Sequence, residues 1–201
     1  MVEKNFQKKL IRVLAISIFG FVFLWGWQSL SLVGGKLHLF FCDVGQGDAI
    51  YVLTPQGEDI LIDGGPDEKV LACLSKRMPF WDKTLEMVVL THPQSDHLTG
   101  LIPVFQRYRV KNFVGENLFS PSASFTKFQS EVAKEGAQIY NPQKGDKIKI
   151  GNLTLDFFWP SQVLGDRRIW EEKYLANQQV LGASTLSGDL NNYSLALEIK
   201  Y

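Results

Sequence analysis

Four side chains that can bind a metal ion or exchange a proton stand within six consecutive residues. They are His92, Gln94, Asp96 and His97, which follow directly on the apolar run EMVVLT. Imidazole nitrogens and a carboxylate are ligands that suit zinc, manganese or iron. The end of a buried strand holds a residue rigidly, and a tight loop lets the residues after it turn back toward the same point. The spacing therefore predicts a metal site.

The same stretch has a second interpretation that involves no metal. Asp96 stands just before the segment LTGLI, and an aspartate there is typical of a residue that caps the start of a helix. The stretch is then a surface turn. The chain's one other histidine, His38, lies on a predicted strand, and we interpret it as a packed or rim residue.

Hydrophobic patterns predict a chain in which strands outnumber helices. Apolar residues at helical spacing predict helices at 67–78, 101–108 and 124–136, and a further helix is indicated around 167–176. Strands are predicted at 37–44, 49–54, 60–63, 86–91, 110–115, 137–140, 147–151, 153–160 and 193–201. Because helices are inserted between groups of strands, we predict an α/β (α+β) fold, a sandwich of sheets with helices outside it.

The N-terminal segment differs from the rest of the chain. Residues 1–12 are basic, with four cations and one acid, and no charge follows until Lys36. A helix that crosses a bilayer needs about 20 apolar residues, so we predict a transmembrane signal anchor at 13–33. Cations before such a span keep the N-terminus cytoplasmic, which places a domain at 36–201 outside the cell membrane. A cleaved signal peptide is the alternative, because the most apolar part of the segment is short.

Charge and cysteine content narrow the classes of function. The chain is neutral overall, so the part after the basic N-terminus is mildly acidic, which argues against a broad basic surface for nucleic acid. A local basic strip that binds nucleic acid remains an alternative.

Cys42 and Cys73 are the only cysteines, and they allow one disulfide at most. Buried free thiols are one interpretation; a disulfide is the other, if the domain lies in an oxidising compartment.

Three motifs resemble those of a known superfamily. The loop HPQSDH resembles the H-x-[HD]-x-D-H signature of the metallo-β-lactamase superfamily. FCDVGQGDAIYVLTPQGEDILIDGG resembles the D-V-G-Q-G-D-[AS] and L-I-D-G-G segments of its ComEC-like branch, which comprises the extracytoplasmic domain of DNA-uptake competence proteins and related small hydrolases. NNYSLALEIKY resembles the N-N-x-S-L strand of that branch. The resemblance spans 38–201 and implies a metallo-β-lactamase-like αββα sandwich with an incomplete second half.

The resemblance also implies roles for individual residues. His92 would bind a first metal ion, whereas Asp96 and His97 would bind a second, with Asp96 as a catalytic carboxylate. One or two ions of zinc or manganese would activate water for attack on a phosphodiester, such as DNA. The supporting loops would comprise Asp43, Gln46, Asp48, Asp63, Gly64 and Gly65, with Asp63 bracing the metal loop. Local turn chemistry is the alternative for the three aspartates in that set.

Two departures from the family pattern bear on activity. Gln94 stands where the signature has His or Asp, and a neutral amide is a poor zinc ligand, so we expect a weakened first metal site. The family pattern also continues after N-N-x-S-L into a metal-bridging acid and a later histidine that have no match here. The alternatives to an active hydrolase are therefore a degenerate binding or structural module, contacting DNA or another subunit, and half of a split enzyme that a second chain completes.

Overall fold

The computed structural model describes residues 2–32, 35–115, 120, 122–159 and 194–201. Within them, helices cover one face of a six-stranded sheet and a three-stranded sheet covers the other. A mixed fold of sheets with helices outside them is therefore confirmed. The predicted helix around 167–176 lies outside the described residues.

The larger sheet carries the predicted site at one of its edges. Its strands are β1 (His38–Phe41), β2 (Ile50–Leu53), β3 (Asp59–Ile62), β4 (Thr84–Leu90), β5 (Arg109–Gly115) and β6 (Gln138–Tyr140), which lie side by side in that order. β1, β2 and β3 form an antiparallel meander, whereas β3, β4, β5 and β6 are parallel. Because parallel strands end at the same edge of a sheet, the segments that follow β3 and β4 meet there.

The central strands are apolar on both faces, as parallel strands covered on both sides should be. Leu61 of β3 and Val88 of β4 point into the core beneath the helices. Their neighbours Ile60 and Val89 point into the second core, beneath the smaller sheet. The side chains of all four residues are completely buried. The helices therefore cover one face of β3 and β4, and the smaller sheet covers the other.

Among the described residues, four helices lie between β3 and β6 along the chain. They are α2 (Lys69–Arg77), α3 (Ser95–Leu98), α4 (Leu101–Arg107) and α5 (Ala123–Glu135). The start of α5 is capped by Ser122, whose hydroxyl oxygen accepts the Phe125 N–H at 3.2 Å, and its end is marked by Gly136 with a φ of 70°. Phe125, Phe128 and Val132 are its buried residues. The helix therefore presents the predicted face to the core.

The smaller sheet comprises β7 (Lys147–Ile150), β8 (Leu153–Trp159) and β9 (Ala196–Lys200), all antiparallel. Leu153, Leu155 and Phe157 of β8 pack into the second core. The order of layers is thus helices, large sheet, small sheet. The outer helical layer of the predicted αββα sandwich does not occur among the described residues.

The N-terminal segment is helical. Helix α1 (Val2–Leu32) covers almost all of the predicted span at 13–33. Among the described parts of the chain, no helix is both long and apolar enough to cross a membrane. The predicted transmembrane segment is therefore not confirmed.

The two cysteines are joined in a disulfide. Cys42 follows β1 and Cys73 lies in α2, and their Cα atoms are 5.7 Å apart. The interpretation as buried free thiols is wrong, because both residues are only half-buried and neither thiol is free. The bond ties the first strand of the sheet to the helix that covers it.

A buried acidic group lies at the opposite end of β3 from the predicted site. Asp59, which is 3% exposed, accepts a hydrogen bond from the hydroxyl of Tyr51. Burial is the largest influence and raises the pKa of Asp59 to about 7, although the Tyr51 hydrogen bond acts to lower it. The charges of Glu58, Asp82 and Glu86 act in the same direction as burial.

This carboxyl group should make the stability of the fold depend on pH. Folded Asp59 keeps its proton up to about pH 7, whereas its ordinary pKa is 3.8. The stabilisation from a raised pKa is complete below the unfolded pKa and is lost as the pH rises through the folded pKa. We expect the free energy of unfolding, from urea titrations, to fall between pH 4 and pH 7 by up to about 4 kcal/mol.

The Asp59→Asn variant should lose this part of the pH dependence. Asp43→Asn, which alters an exposed carboxylate, is the matched control and should keep it. An unchanged pH profile in Asp59→Asn would show that Asp59 is ionised in the folded protein throughout this range.

Candidate active site

The site begins where β3 and β4 end. Thr91 and His92 follow β4, and Asp63 follows β3 beside them. The Asp63 N–H donates to the Val89 carbonyl at 2.8 Å, which continues the pairing of the two strands by one residue. Ligands of open α/β sheets bind at the carboxyl ends of parallel strands, so the sheet places these residues where a site is expected.

Asp63 holds the two strand ends together. Its Oδ1 accepts the Thr91 N–H at 2.8 Å, while Oδ2 accepts the Thr91 hydroxyl at 2.7 Å and His97 Nδ1–H at 2.9 Å. The side chain is 3% exposed. The backbone of Asp63 has a φ of 57°, a left-handed conformation that costs energy in residues with a Cβ. Hydrogen bonds to a charged acceptor are strong and offset that cost.

These contacts determine which nitrogen of each imidazole carries the proton. Asp63, as a carboxylate, can only accept, so His97 donates from Nδ1 and Thr91 donates its hydroxyl proton. The Thr91 hydroxyl has no second proton, and it must accept at its 3.0 Å contact with Nδ1 of His92. Both neutral rings are therefore protonated at Nδ1 and unprotonated at Nε2. A free Nε2 lone pair can take up a proton or bind a cation.

Gln94 contacts the unprotonated nitrogen of His92. Its side-chain oxygen, Oε1, lies 3.3 Å from Nε2 of the ring. Because that nitrogen is an acceptor in a neutral ring protonated at Nδ1, a hydrogen bond forms there only when the amide is turned by 180°, so that its NH₂ group faces the ring. The amide then occupies the lone pair that a cation would need.

The two imidazoles lie in different electrostatic surroundings, although their ring centres are only 4.1 Å apart. Burial and then the neighbouring His97 lower the pKa of His92 below its usual value. Burial also acts to lower the pKa of His97, but the hydrogen bond to Asp63 and the charges of Asp63, Asp96 and Asp48 raise it overall. His97 is therefore the ring that holds a proton more readily.

A second loop, residues 43–48, closes over the site. Gly47 has a φ of 75°, and a Cβ added to it would lie 1.9 Å from the backbone oxygen of Asp96. The carbonyl of Asp48 accepts the Gly65 N–H at 2.9 Å. Gly65 in turn leaves no room for a side chain, since a Cβ there would meet Val44 at 2.7 Å. The loop can lie this close to the site only because glycine occupies both contact points.

The described residues do not form a complete metal site. Across 2–32, 35–115, 120, 122–159 and 194–201, no three His, Cys, Asp or Glu side chains are placed so that they could hold one ion. A zinc site usually takes at least three protein ligands. The donor types of His92, Asp96 and His97 suit zinc, but their arrangement does not meet that requirement. Metal binding by these residues remains a prediction.

The structure brings together part of the predicted set. His92, His97 and Asp63 are in contact, and Asp96 lies close enough for its charge to act on both rings. Local turn chemistry is wrong for Asp63, whose side-chain partners are 28 and 34 residues away. Asp96 as a helix cap is also wrong, because it is the second residue of α3 and Gln94 precedes the helix.

The other supporting residues lie around this centre. Asp43, Gln46 and Asp48 are exposed on the 43–48 loop, and the Gly64 N–H donates to the carbonyl of His97 at 2.7 Å. Thr91 was missed by the sequence reasoning, although its position between a buried strand and His92 could have indicated it.

Comparisons with known proteins give matches among solved structures only. No protein-family model and no curated protein matches the chain. The chain is similar to the metallo-β-lactamase fold protein YhfI from Bacillus subtilis, with a TM-score of 0.44 and 19% identity over 61% of this chain and 51% of that one. It is also similar to a metallo-β-lactamase from Cronobacter sakazakii, with a TM-score of 0.44, 14% identity and coverage of 60% and 50%. A third match is ETHE1 from Myxococcus xanthus, with a TM-score of 0.41, 20% identity and coverage of 61% and 47%.

The chain thus spans about half the length of these structures.

Replacing Asp63 should destabilise the domain. Asp63→Ala leaves the Thr91 N–H and His97 Nδ1–H without their acceptor and puts a Cβ-bearing residue in a left-handed conformation without compensating contacts. We expect a loss of about 2–4 kcal/mol in the free energy of unfolding, measured by urea titration. Asp43→Ala, at an exposed carboxylate on the neighbouring 43–48 loop, should change it by about 0.5 kcal/mol or less. Equal losses in the two variants would contradict the role of Asp63.

Proposed function

We propose that this domain is a hydrolase of the metallo-β-lactamase-like fold that cleaves phosphodiester bonds, with DNA among its substrates. One observation carries the proposal: Nδ1 of His97 lies 2.9 Å from the Asp63 carboxylate, and a ring that donates there has an unprotonated Nε2 when it is neutral. The motifs at 41–65 and 92–97 support the family. They also supply the substrate class, through the resemblance to the ComEC-like branch.

The described residues can activate water through His97. Its Nε2 would accept a proton from the attacking water, whose oxygen then bonds to phosphorus while the ester oxygen leaves and is protonated from solvent. Asp63 keeps the ring in the required tautomer and stabilises the imidazolium that forms, as the carboxylates of catalytic triads do. Asp96 adds a negative charge beside the ring, which favours the same charged state.

A binding module without catalysis is the second candidate. It is favoured by the contact between Gln94 and Nε2 of His92, because that contact occupies the space in which a cation would bind this nitrogen. A domain of this kind would keep the fold and the exposed 43–48 loop for contacts with DNA or a second chain. The two candidates differ in one respect that can be measured, which is the turnover of a phosphodiester.

The test is hydrolysis of bis(4-nitrophenyl) phosphate and of a labelled single-stranded DNA by the full chain, with no added metal and with zinc or manganese. We expect turnover that His97→Ala lowers by about 100-fold or more, because a general base contributes at least that factor. His38→Ala is the matched control, since that ring lies on β1 away from the Asp63 network, and it should keep the rate.

Metal content is measured on the same samples. Zinc or manganese that binds the wild-type chain and the His38 variant but not the His97 variant would support the predicted metal site. A well-folded chain that cleaves neither substrate in any of these conditions would contradict the hydrolase and leave the binding module.

A further inference from the structure

The Cys42–Cys73 disulfide stands at the base of the 43–48 loop. Cys42 is the residue before the loop, and its N–H donates to the carbonyl of Ala49, the residue after it, at 2.9 Å. The loop is therefore closed at its base by one backbone hydrogen bond. The disulfide then ties that base to Cys73 in α2. Both cysteines are partly exposed.

The far side of the same loop touches the candidate active site at several points. Gly47 lies against the backbone of Asp96, and Asp48 accepts the Gly65 N–H. Val44, which is 2% exposed, packs on Gly65. Gly64, the neighbour of Gly65, contacts the histidine segment directly, because its N–H donates to the carbonyl of His97. A displacement of the loop would therefore reach the histidine segment through Gly64 and Gly65.

We propose that the Cys42–Cys73 disulfide is a redox-sensitive latch, which holds the 43–48 loop against the active-site loop when oxidised and releases it when reduced. The reductant is a dithiol, either a small molecule or a thioredoxin-like protein. One thiolate of the dithiol attacks a sulfur of the disulfide and forms a mixed disulfide, and the other cysteine leaves as a thiolate and takes up a proton. The second thiol of the reductant then attacks the mixed disulfide, so two electrons and two protons pass to the protein and the dithiol becomes a disulfide.

Release should be local because the rest of the sheet does not depend on this bond. β3, β4 and β5 are held by their own hydrogen-bond ladders and by two buried cores. The 43–48 loop, in contrast, has four exposed residues among its six. A segment with little burial opens more readily than the core of the same domain. The proposal concerns the position of the 43–48 loop, and it does not depend on whether the domain is a hydrolase.

The experiment compares amide hydrogen exchange in the full chain before and after reduction with dithiothreitol. Two reporters are the amides of Cys42 and Gly65, which bond to Ala49 and Asp48 across the loop; Val88, inside β4, is the reference. We expect exchange at Cys42 and Gly65 to accelerate by about tenfold or more relative to Val88. Gly64 should follow them if the change reaches the histidine segment. Reoxidation should restore the original rates.

The Cys42→Ser/Cys73→Ser double variant is the control. It should exchange like the reduced wild-type chain and show no response to dithiothreitol. A change of about twofold or less at Cys42 and Gly65 on reduction would overturn the latch. An equal acceleration at Val88 would also overturn it, since the bond would then stabilise the whole domain and not the loop. If the double variant does not fold, the reduction and reoxidation of the wild-type chain still decide between these outcomes.

Discussion

A single buried carboxylate organises the candidate active site. Asp63 accepts three hydrogen bonds from Thr91 and His97 while its own backbone is held in a left-handed conformation. Neither feature is stable alone, because the conformation costs energy and a buried charge needs partners. Together they join the ends of β3 and β4 and set the tautomers of two imidazoles. The chemistry proposed for His97 depends on this arrangement more than on any contact made by the ring itself.

The surrounding loops depend on close backbone contacts. Gly47 and Gly65 let the 43–48 loop lie against α3 and the end of β3 with no side chain between them. Such a contact is sensitive to displacement, since it has no flexible side chain that could absorb a shift. The Cys42–Cys73 bond secures the loop from its other side. The position of the loop over the histidines is therefore set by glycine at one side and by a covalent bond at the other.

The scaffold could be predicted because burial leaves short-range patterns in the sequence. The apolar runs of β3 and β4 and the spacing of Phe125, Phe128 and Val132 in α5 each indicate one element without reference to the rest. The contacts of the site are long-range, and no local pattern shows them. Asp63 could be singled out only through a resemblance, and its partners lie 28 and 34 residues away. The pairing of the cysteines was open for the same reason, and α3 is too short to show a helical period.

The most direct test of the role of Asp63 is the protonation of the two imidazole rings. Two-bond ¹H–¹⁵N NMR spectra of the full chain, recorded at a pH where both rings are neutral, identify the protonated nitrogen of each histidine. We expect His92 and His97 to carry their protons on Nδ1, with both Nε2 atoms unprotonated. A proton on Nε2 of either ring would contradict this, because the hydrogen bonds through Thr91 and Asp63 could not then form as the structure has them.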